Sequence, residues 1–123
     1  MAELRILKEN VGPGGLTTTD ATPTIVWSYV IPNNTSGDVG IKISGCDATG
    51  ARYVVYTWTA AFQRAGGAAA LDGGAVTAGR TFKDGTTPAP TFALVGSTLT
   101  ATVTGVAATT INWNVPIILT LSR

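Results

Sequence analysis

The chain has no histidine, only one cysteine and few charged side chains. Histidine is the commonest general base and zinc ligand, so its absence excludes Ser-His and Cys-His catalytic pairs and most zinc sites. A single cysteine cannot form a disulfide within the chain, and we interpret Cys46 as a small hydrophobic residue on a strand rather than as a reactive thiol. Charged residues amount to 12% of the chain, about half the usual share, so small uncharged residues must cover much of the surface.

Positive charge is neither abundant nor clustered. Lys and Arg together number 8 and the net charge is +1, and these residues are scattered rather than set in a run that neutralises a row of phosphates. No apolar stretch approaches the roughly 18 residues of a membrane helix, and residues 1–9 lack the continuous apolar segment of a signal peptide. We therefore predict no nucleic-acid partner, no membrane association and accumulation in the cytoplasm of the producing cell.

The acidic residues show no pattern that indicates catalysis or metal binding. Nearly all of them lie in predicted turns or near the N-terminus, where Asx-turn hydrogen bonds account for them. A glycosidase instead needs two carboxylates that face each other across a cleft. There is no Asp-x-Asp-x-Asp ladder for calcium, no Gly-x-Gly-x-x-Gly before a helix and no Walker lysine. The sequence predicts no enzyme, no cofactor and no metal site.

What the chain has in abundance is alternation with period two, most clearly in its last quarter. Apolar and polar side chains alternate at 98–104 and again at 111–122, on either side of a loop. Successive side chains of a strand point to opposite faces, so each run predicts a half-buried strand. We predict an antiparallel hairpin with an apolar face centred on Trp113 and an uncharged polar face. That polar face is a candidate subunit contact and comprises Thr98, Thr100, Thr102, Thr104, Asn112 and Asn114.

The rest of the chain gives the same kind of signal. Clusters of Gly, Pro, Asn and Asp separate short alternating runs, and no segment predicts a long helix. Such spacing is typical of an antiparallel β-sandwich or barrel. We predict an all-β protein, namely an antiparallel, jelly-roll-like β-sandwich of about eight short strands. Besides the two strands of the hairpin, the predicted strands lie at 24–31, 38–46, 52–63, 68–71, 80–83 and 91–95.

The N-terminal segment differs from the later strands. Its first part alternates weakly, and a Gly-Pro-Gly-Gly segment at 12–15 then indicates a flexible break. We predict an arm with a glycine hinge at 1–16 and a single sandwich domain at 17–123. From the residues alone, the arm either packs on its own domain or pairs with a neighbouring subunit. The apolar residues of the arm are Leu4, Ile6 and Leu7.

Aromatic side chains are the remaining candidates for a contact surface. Trp27, Trp58 and Trp113 each fall on the apolar face of a predicted strand, so we assign them to the core. Tyr53 falls on the opposite face of its strand. The sequence therefore predicts Tyr53 as the surface aromatic.

Two segments resemble a known family. Thr-Thr-Asp-Ala-Thr-Pro-Thr at 18–24, which leads into an apolar strand, resembles a recurring opening of bacteriophage structural proteins. Val-Thr-Gly-Val-Ala-Ala-Thr-Thr-Ile-Asn-Trp at 103–113 resembles their closing segment, and the long strand ending at Arg64, with a glycine-rich segment after it, stands in a similar place. The resemblance covers about residues 17–121 and is to the β-domains of tail fibres, tail-associated proteins and head decoration proteins.

This resemblance implies a non-enzymatic virion structural protein, made in the bacterial cytoplasm and incorporated into the phage particle. The first reading is a head decoration protein that binds the major capsid protein or another virion protein as a homotrimer. In that reading Leu4, Ile6 and Leu7 contribute to anchoring on the capsid. The alternative is a tail fibre or tail-tip domain, in which loops at 64–79 and 83–90 bind a host receptor or glycan.

Overall fold

The chain folds almost entirely into β-strands in the computed structural model, which describes residues 4–85 and 87–122. Alternating β-branched, aromatic and polar residues form strands because they suit a pleated surface with one buried side. The all-β class predicted from the sequence is confirmed. The strands are β1 (Leu4–Thr18), β2 (Pro23–Val30), β3 (Thr35–Cys46), β4 (Arg52–Arg64), β5 (Ala70–Leu71), β6 (Thr77–Lys83), β7 (Thr91–Val95), β8 (Thr98–Thr104) and β9 (Ile111–Ser122), with a short 3-10 turn at Asp72–Gly74.

The strands form two antiparallel sheets. The large sheet has six strands in the order β1-β9-β3-β4-β5, with β6 also paired to β4, and the small sheet has three in the order β2-β8-β7. A sheet with one apolar face needs a covering layer, and here each sheet covers the other. The antiparallel β-sandwich is thus confirmed, whereas the finer jelly-roll assignment stays a prediction.

The core lies between the sheets and takes its side chains from alternate positions of the long strands. Along β9 the inward-facing residues from Ile111 to Leu121 are all buried. Trp27, Trp58 and Trp113 are no more than 7% exposed, so their assignment to the core is confirmed. Burial of a large apolar side chain contributes about 1.5–3 kcal/mol, and this shared core holds the two outer faces of the sandwich in place.

The hairpin predicted at the end of the chain is wrong. β8 lies in the centre of the small sheet between β2 and β7, whereas β9 lies in the large sheet between β1 and β3. The connection at 105–110 therefore crosses from one sheet to the other. Alternation reveals which side chains face the core, but it does not reveal which sheet supplies the strand. The polar faces of β8 and β9 consequently point to opposite sides of the sandwich.

The N-terminal segment runs along one edge of the large sheet. The backbone of β1 pairs with β9 on both sides of a register shift between Val11 and Leu16. The Gly-Pro-Gly-Gly segment is therefore an irregularity within one strand, where the sequence predicted a flexible break. An edge strand tolerates glycine and a proline that has no N–H to donate. The division of the chain at residue 16 stays a prediction.

Trp113 connects three strands of the large sheet. Its indole Nε1 donates a hydrogen bond to Thr18 Oγ1 of β1 at 2.9 Å, in a buried setting. Gly45 of β3 lies opposite Trp113 in register, and a Cβ on Gly45 would lie 2.8 Å from the indole Cζ3. Glycine is therefore required at this position, and the tryptophan fixes β1, β9 and β3 relative to one another.

Candidate functional site: a groove on the outer face of the large sheet

The outer face of the large sheet has a depression because short side chains occupy its centre. In register across β9, β3 and β4, Asn114 lies opposite Ser44, and Ser44 lies opposite Val55. In the next outward-facing row Asn112 lies opposite Cys46. Serine, cysteine and valine extend only a short way from the sheet, and the space above them measures about 230 Å³.

Positively charged and amide side chains surround this depression, which we call the cationic groove. Lys42 of β3 and Arg80 of β6 are exposed, as are the amides of Asn112 and Asn114. No described residue forms an ion pair with either cation. Amides offer both donors and an acceptor, and guanidinium offers a planar fork of donors. The lining residues are Lys42, Ser44, Gly45, Cys46, Gly50, Val55, Arg80, Asn112 and Asn114.

An irregularity in β6 places Arg80 at this groove. The pairing of β4 with β6 shifts register between Tyr56 and Trp58, which leaves Thr57 opposite the extra residue of a bulge. The backbone N–H of Arg80 donates to Thr57 Oγ1 at 2.7 Å, and a Cβ on Gly79 would lie 2.6 Å from the same oxygen. Bulges often reorient a side chain beside a functional site, and here the glycine permits the close approach.

Asn112 is held from the other side of the groove. Thr17 Oγ1 in β1 donates a hydrogen bond to Asn112 Oδ1 at 3.1 Å. This bond occupies the amide oxygen and orients the NH2 group away from Thr17. Ser44 Oγ lies 3.4 Å from the backbone oxygen of Asn114, a long contact that leaves the serine hydroxyl able to exchange partners.

Further along β3 the outer face becomes apolar and then acidic. A second depression, next to the cationic groove, is lined by Gly40, Lys42, Pro116 and Ile118 among others, and Ile118 is 52% exposed. A third depression of about 540 Å³ adjoins it, with Asp38 and Asp72 in its lining. The outer face thus changes from cationic through apolar to acidic along one strand.

The turn between β3 and β4 forms the end wall of the cationic groove. Asp47 accepts hydrogen bonds from Thr49 N at 2.9 Å, Thr49 Oγ1 at 2.6 Å and Ala51 N at 3.0 Å. These bonds, the Thr49 hydroxyl foremost, hold the pKa of the Asp47 carboxyl below its usual range. The carboxylate therefore fixes the turn rather than facing a ligand.

Tyr53, the predicted surface aromatic, lies beside this turn. Its ring is half-buried against the core, and its hydroxyl donates to Asp47 Oδ2 at 3.3 Å. Burial, followed by the nearby charge of Asp47, raises the pKa of the Tyr53 phenol. Because both the ring and the hydroxyl have partners within the chain, contact of Tyr53 with an external ligand stays a prediction.

The outer face of the small sheet is a second candidate surface, which we call the threonine face. Thr98, Thr100, Thr102 and Thr104 lie on the central strand, all half-buried between the flanking strands. Their outward neighbours in register include Ser28, Val30, Ala93 and Val95. Strands β2, β7 and β8 contain no charged residue. The threonine face is therefore an uncharged surface of small and β-branched side chains.

The six residues predicted as one subunit contact do not form one surface. Asn112 and Asn114 lie in the cationic groove on the large sheet, whereas the four threonines lie on the opposite side of the sandwich. The physical reason is the crossing connection between β8 and β9. The predicted anchoring residues of the arm, Leu4, Ile6 and Leu7, pair through their backbones with Ser122, Thr120 and Leu119. Their side chains lie outside the described residues, so the anchoring role stays a prediction.

Sequence reasoning missed the two cations of the groove. The alternation of β3 assigns Lys42, Ser44 and Cys46 to one outward-facing row, so the sequence held a signal for part of the site. Arg80 gave no such signal, because its position depends on the bulge opposite Thr57. Among the described residues there is no group of three His, Cys, Asp or Glu side chains able to hold a metal ion. No described helix has the length and apolar character to cross a membrane.

Comparison with known proteins gives a likeness of fold. No known family matches the chain, and no curated protein matches it. The tailspike protein gp49 of Acinetobacter baumannii bacteriophage Fri1, a capsular polysaccharide depolymerase, is similar with a TM-score of 0.56 and 13% identity, over 97% of this chain and 17% of the tailspike. The tailspike protein of Acinetobacter baumannii phage AM24 aligns over 98% of this chain and 26% of its own at 13% identity, with a TM-score of only 0.32. This chain therefore has the fold of a small part of the Fri1 tailspike.

Proposed function

We propose that the chain is a bacteriophage virion protein and forms a domain of a tail spike or tail fibre that binds a glycan of the host surface. The observation that carries the proposal is the likeness of 97% of this chain to part of the tailspike of phage Fri1. The motifs at 18–24 and 103–113, which resemble phage virion β-domains, support it independently. The cationic groove suits such a role because exposed amides and cations bind polar ligands.

This proposal replaces the head decoration protein as the preferred reading. Both readings require a virion protein with a β-sandwich. The solved structure that aligns with a TM-score of 0.56 is a tailspike, which favours a position on the tail. The cationic groove also favours this choice, because a concave site with convergent polar groups is typical of ligand binding.

We propose that this domain binds its glycan without cleaving it. The lining of the cationic groove includes no described carboxylate, and glycoside hydrolysis uses a pair of carboxylates. Asp38 and Asp72 line the third depression further along β3, so a substitution of Asp38 tests this statement. No reducing ends should appear when the protein is incubated with a polysaccharide that it binds, and release of reducing ends that Asp38→Asn abolishes would contradict it.

We further propose that the threonine face is buried against another copy of the chain. A homo-oligomer fits this face because its three strands contain no charge, whereas soluble surfaces normally carry interspersed Lys and Glu. A trimer is the state expected by analogy with phage virion proteins. Sedimentation equilibrium of the purified chain measures the mass directly, and a monomer at all concentrations would contradict an oligomer.

Immunogold electron microscopy tests the position in the virion. Antibodies raised against the purified chain are applied to intact particles of the phage that encodes it. Label at the tail tip or spikes is expected. Label distributed over the head would support the decoration protein instead, and particles that carry no label, with the chain absent from their protein composition, would overturn both readings.

A further inference from the structure

We propose that the cationic groove selects acidic glycans, in which Lys42 and Arg80 bind a sugar carboxylate while the amides of Asn112 and Asn114 bind neighbouring hydroxyl groups. This inference rests on the proposed function and names the ligand class of the same domain. The structure supplies the cations, the hydrogen-bonding groups and the shape that such a ligand requires.

The two cations make an anion the preferred ligand. Lys42 and Arg80 approach the groove from two strands that flank β4, and no described residue forms an ion pair with either of them. Charge-assisted hydrogen bonds to a carboxylate are about twice as strong as neutral ones. A carboxylate bound here would therefore neutralise positive charge that no described residue pairs with.

The described acidic residues form no ion pair with these cations. Asp47 Oδ1 accepts from Thr49 and Ala51 and its Oδ2 accepts from the Tyr53 hydroxyl, and Asp84 Oδ1 accepts from Thr87 N at 2.8 Å. Asp38 lies on the same face as Lys42 but four residues away on β3, which is roughly 13 Å along a strand. Asp38 and Asp72 lie together at the far end, whereas Asp47 at the groove end is hydrogen-bonded within its own turn. An anionic ligand is therefore favoured between Lys42 and Arg80.

The remaining lining suits the neutral parts of a sugar. The NH2 group of Asn112 is oriented by the Thr17 bond, and amide side chains both donate to and accept from sugar hydroxyls. Beyond Lys42 the exposed apolar surface of Pro116 and Ile118 offers contact for the C–H face of a ring. From Cys46 to Asp38 the face extends about 26 Å, a length that admits an oligosaccharide rather than a single small anion.

A glycan array tests the ligand class. The array carries bacterial polysaccharides with uronic or other carboxylated sugars, each beside the same polysaccharide after chemical reduction of its carboxyl groups, together with neutral glycans. Binding to at least one acidic glycan is expected, with loss of binding after carboxyl reduction. The affinity should also fall as salt concentration rises, because exposed charges are screened.

Single substitutions locate the binding site. Lys42→Ala and Arg80→Ala should each weaken binding of that glycan about tenfold, the effect of losing one charge-assisted contact. Lys83→Ala is the matched control, since Lys83 lies on β6 with Arg80 but pairs with Val54, whose side chain faces the core. All three side chains are exposed, so thermal melts should show folded proteins.

The single cysteine provides a second readout in the unmodified chain. Cys46 lines the groove, so a bound glycan should slow its alkylation by N-ethylmaleimide, whereas the carboxyl-reduced glycan should not. An unchanged alkylation rate at saturating glycan would place the ligand elsewhere and overturn the inference.

The outcomes separate this inference from the proposed function. Binding to neutral glycans only, or binding that Lys42→Ala and Arg80→Ala leave unchanged, overturns the acidic class and its site while glycan binding stands. Absence of binding to every glycan overturns the inference as well, and the immunogold position then decides whether the chain is still a tail protein.

Discussion

The two outer faces of the sandwich share one core and differ in chemistry. The large sheet presents Lys42, Arg80 and the amides of β9 around a groove, whereas the three strands of the small sheet contain no charge. Val30 and Val95 on the small sheet are 62% and 65% exposed. This difference is the basis for our two separate proposals, a ligand site on the large sheet and a subunit contact on the small sheet.

The edges of the small sheet strengthen this interpretation. β2 and β7 are its outer strands, and unprotected edge strands tend to pair with other chains. Natural proteins usually place lysine or proline on such edges to prevent this. Neither edge strand contains lysine, and the one proline is Pro23 at the start of β2, which also has a bulge between Ile25 and Trp27. The absence of lysine from these edge strands supports the proposal that another copy of the chain covers the small sheet.

The largest expected effect comes from adding charge to the threonine face. Thr100→Lys with Thr102→Lys brings like charges together at the proposed contact, and we expect self-association to weaken at least a hundredfold because like charges across an interface cost several kcal/mol. Sedimentation equilibrium measures the change. Thr59→Lys with Ala61→Lys, at exposed positions of β4 on the large sheet, is the matched control and should assemble as the wild type does. If the two double variants change self-association equally, the threonine face is not the specific subunit contact.

The sequence predicted which side chains point inward or outward better than it predicted the sheet to which each strand belongs. Alternation identified the inward-facing residues of β3, β8 and β9 correctly, because side-chain direction in a strand is a local property. The sheet to which a strand belongs depends on how its connections run, and residues 105–110 allow either a turn or a crossing. The threonines and Asn112 were therefore predicted on one surface although they lie on opposite sides.

The cationic groove could not be predicted from the sequence, for a related reason. Its cations come from β3 and β6, which are 38 positions apart at Lys42 and Arg80, and they meet only through β4 and a bulge. Turn residues were easier to interpret, since the Asp47 side chain bonds to residues two and four positions further on. Local hydrogen bonding leaves a signature in the sequence, whereas register between distant strands does not.

The second-largest effect is expected on the free energy of unfolding, at an arginine whose hydrogen bonds connect the two sheets. Arg64 of β4 donates from Nη1 to the backbone oxygen of Ile31 at 2.7 Å and from Nε to that of Gly67 at 2.6 Å. Ile31 comes directly after β2 of the small sheet and is fully buried, so Arg64→Met leaves its oxygen without this donor. We expect a loss of about 1–2 kcal/mol in the free energy of unfolding, measured by urea denaturation.

The same substitution at a second arginine provides the control for Arg64. Arg80 is exposed and no described residue forms an ion pair with it, so Arg80→Met should stay within about 0.5 kcal/mol of the wild type. A single cooperative transition in both variants would agree with one shared core beneath the two faces. Separate transitions for the two sheets would show instead that the faces fold independently.

The smallest expected effect is a difference between the two faces in their response to pH. The pKa of Asp47 lies below its usual range because Thr49 and Ala51 donate to the carboxylate. As the pH falls, the Asp47 carboxylate is protonated in the unfolded chain before it is protonated in the folded chain. The stability that Asp47 contributes is therefore present above the ordinary aspartate pKa of about 3.9 and is lost as the pH falls through the lowered pKa.

An NMR titration measures this pKa through the amide signals of Thr49 and Ala51. These signals should shift with a midpoint below the ordinary aspartate value, and Asp47→Asn should remove the shift. The amides of Thr100 and Thr102 should stay nearly constant, because no ionisable carboxyl lies within β2, β7 or β8. A Thr49 midpoint at or above the ordinary value would contradict the hydrogen-bonded turn, and a comparable shift at Thr100 would show that the two faces are electrostatically alike.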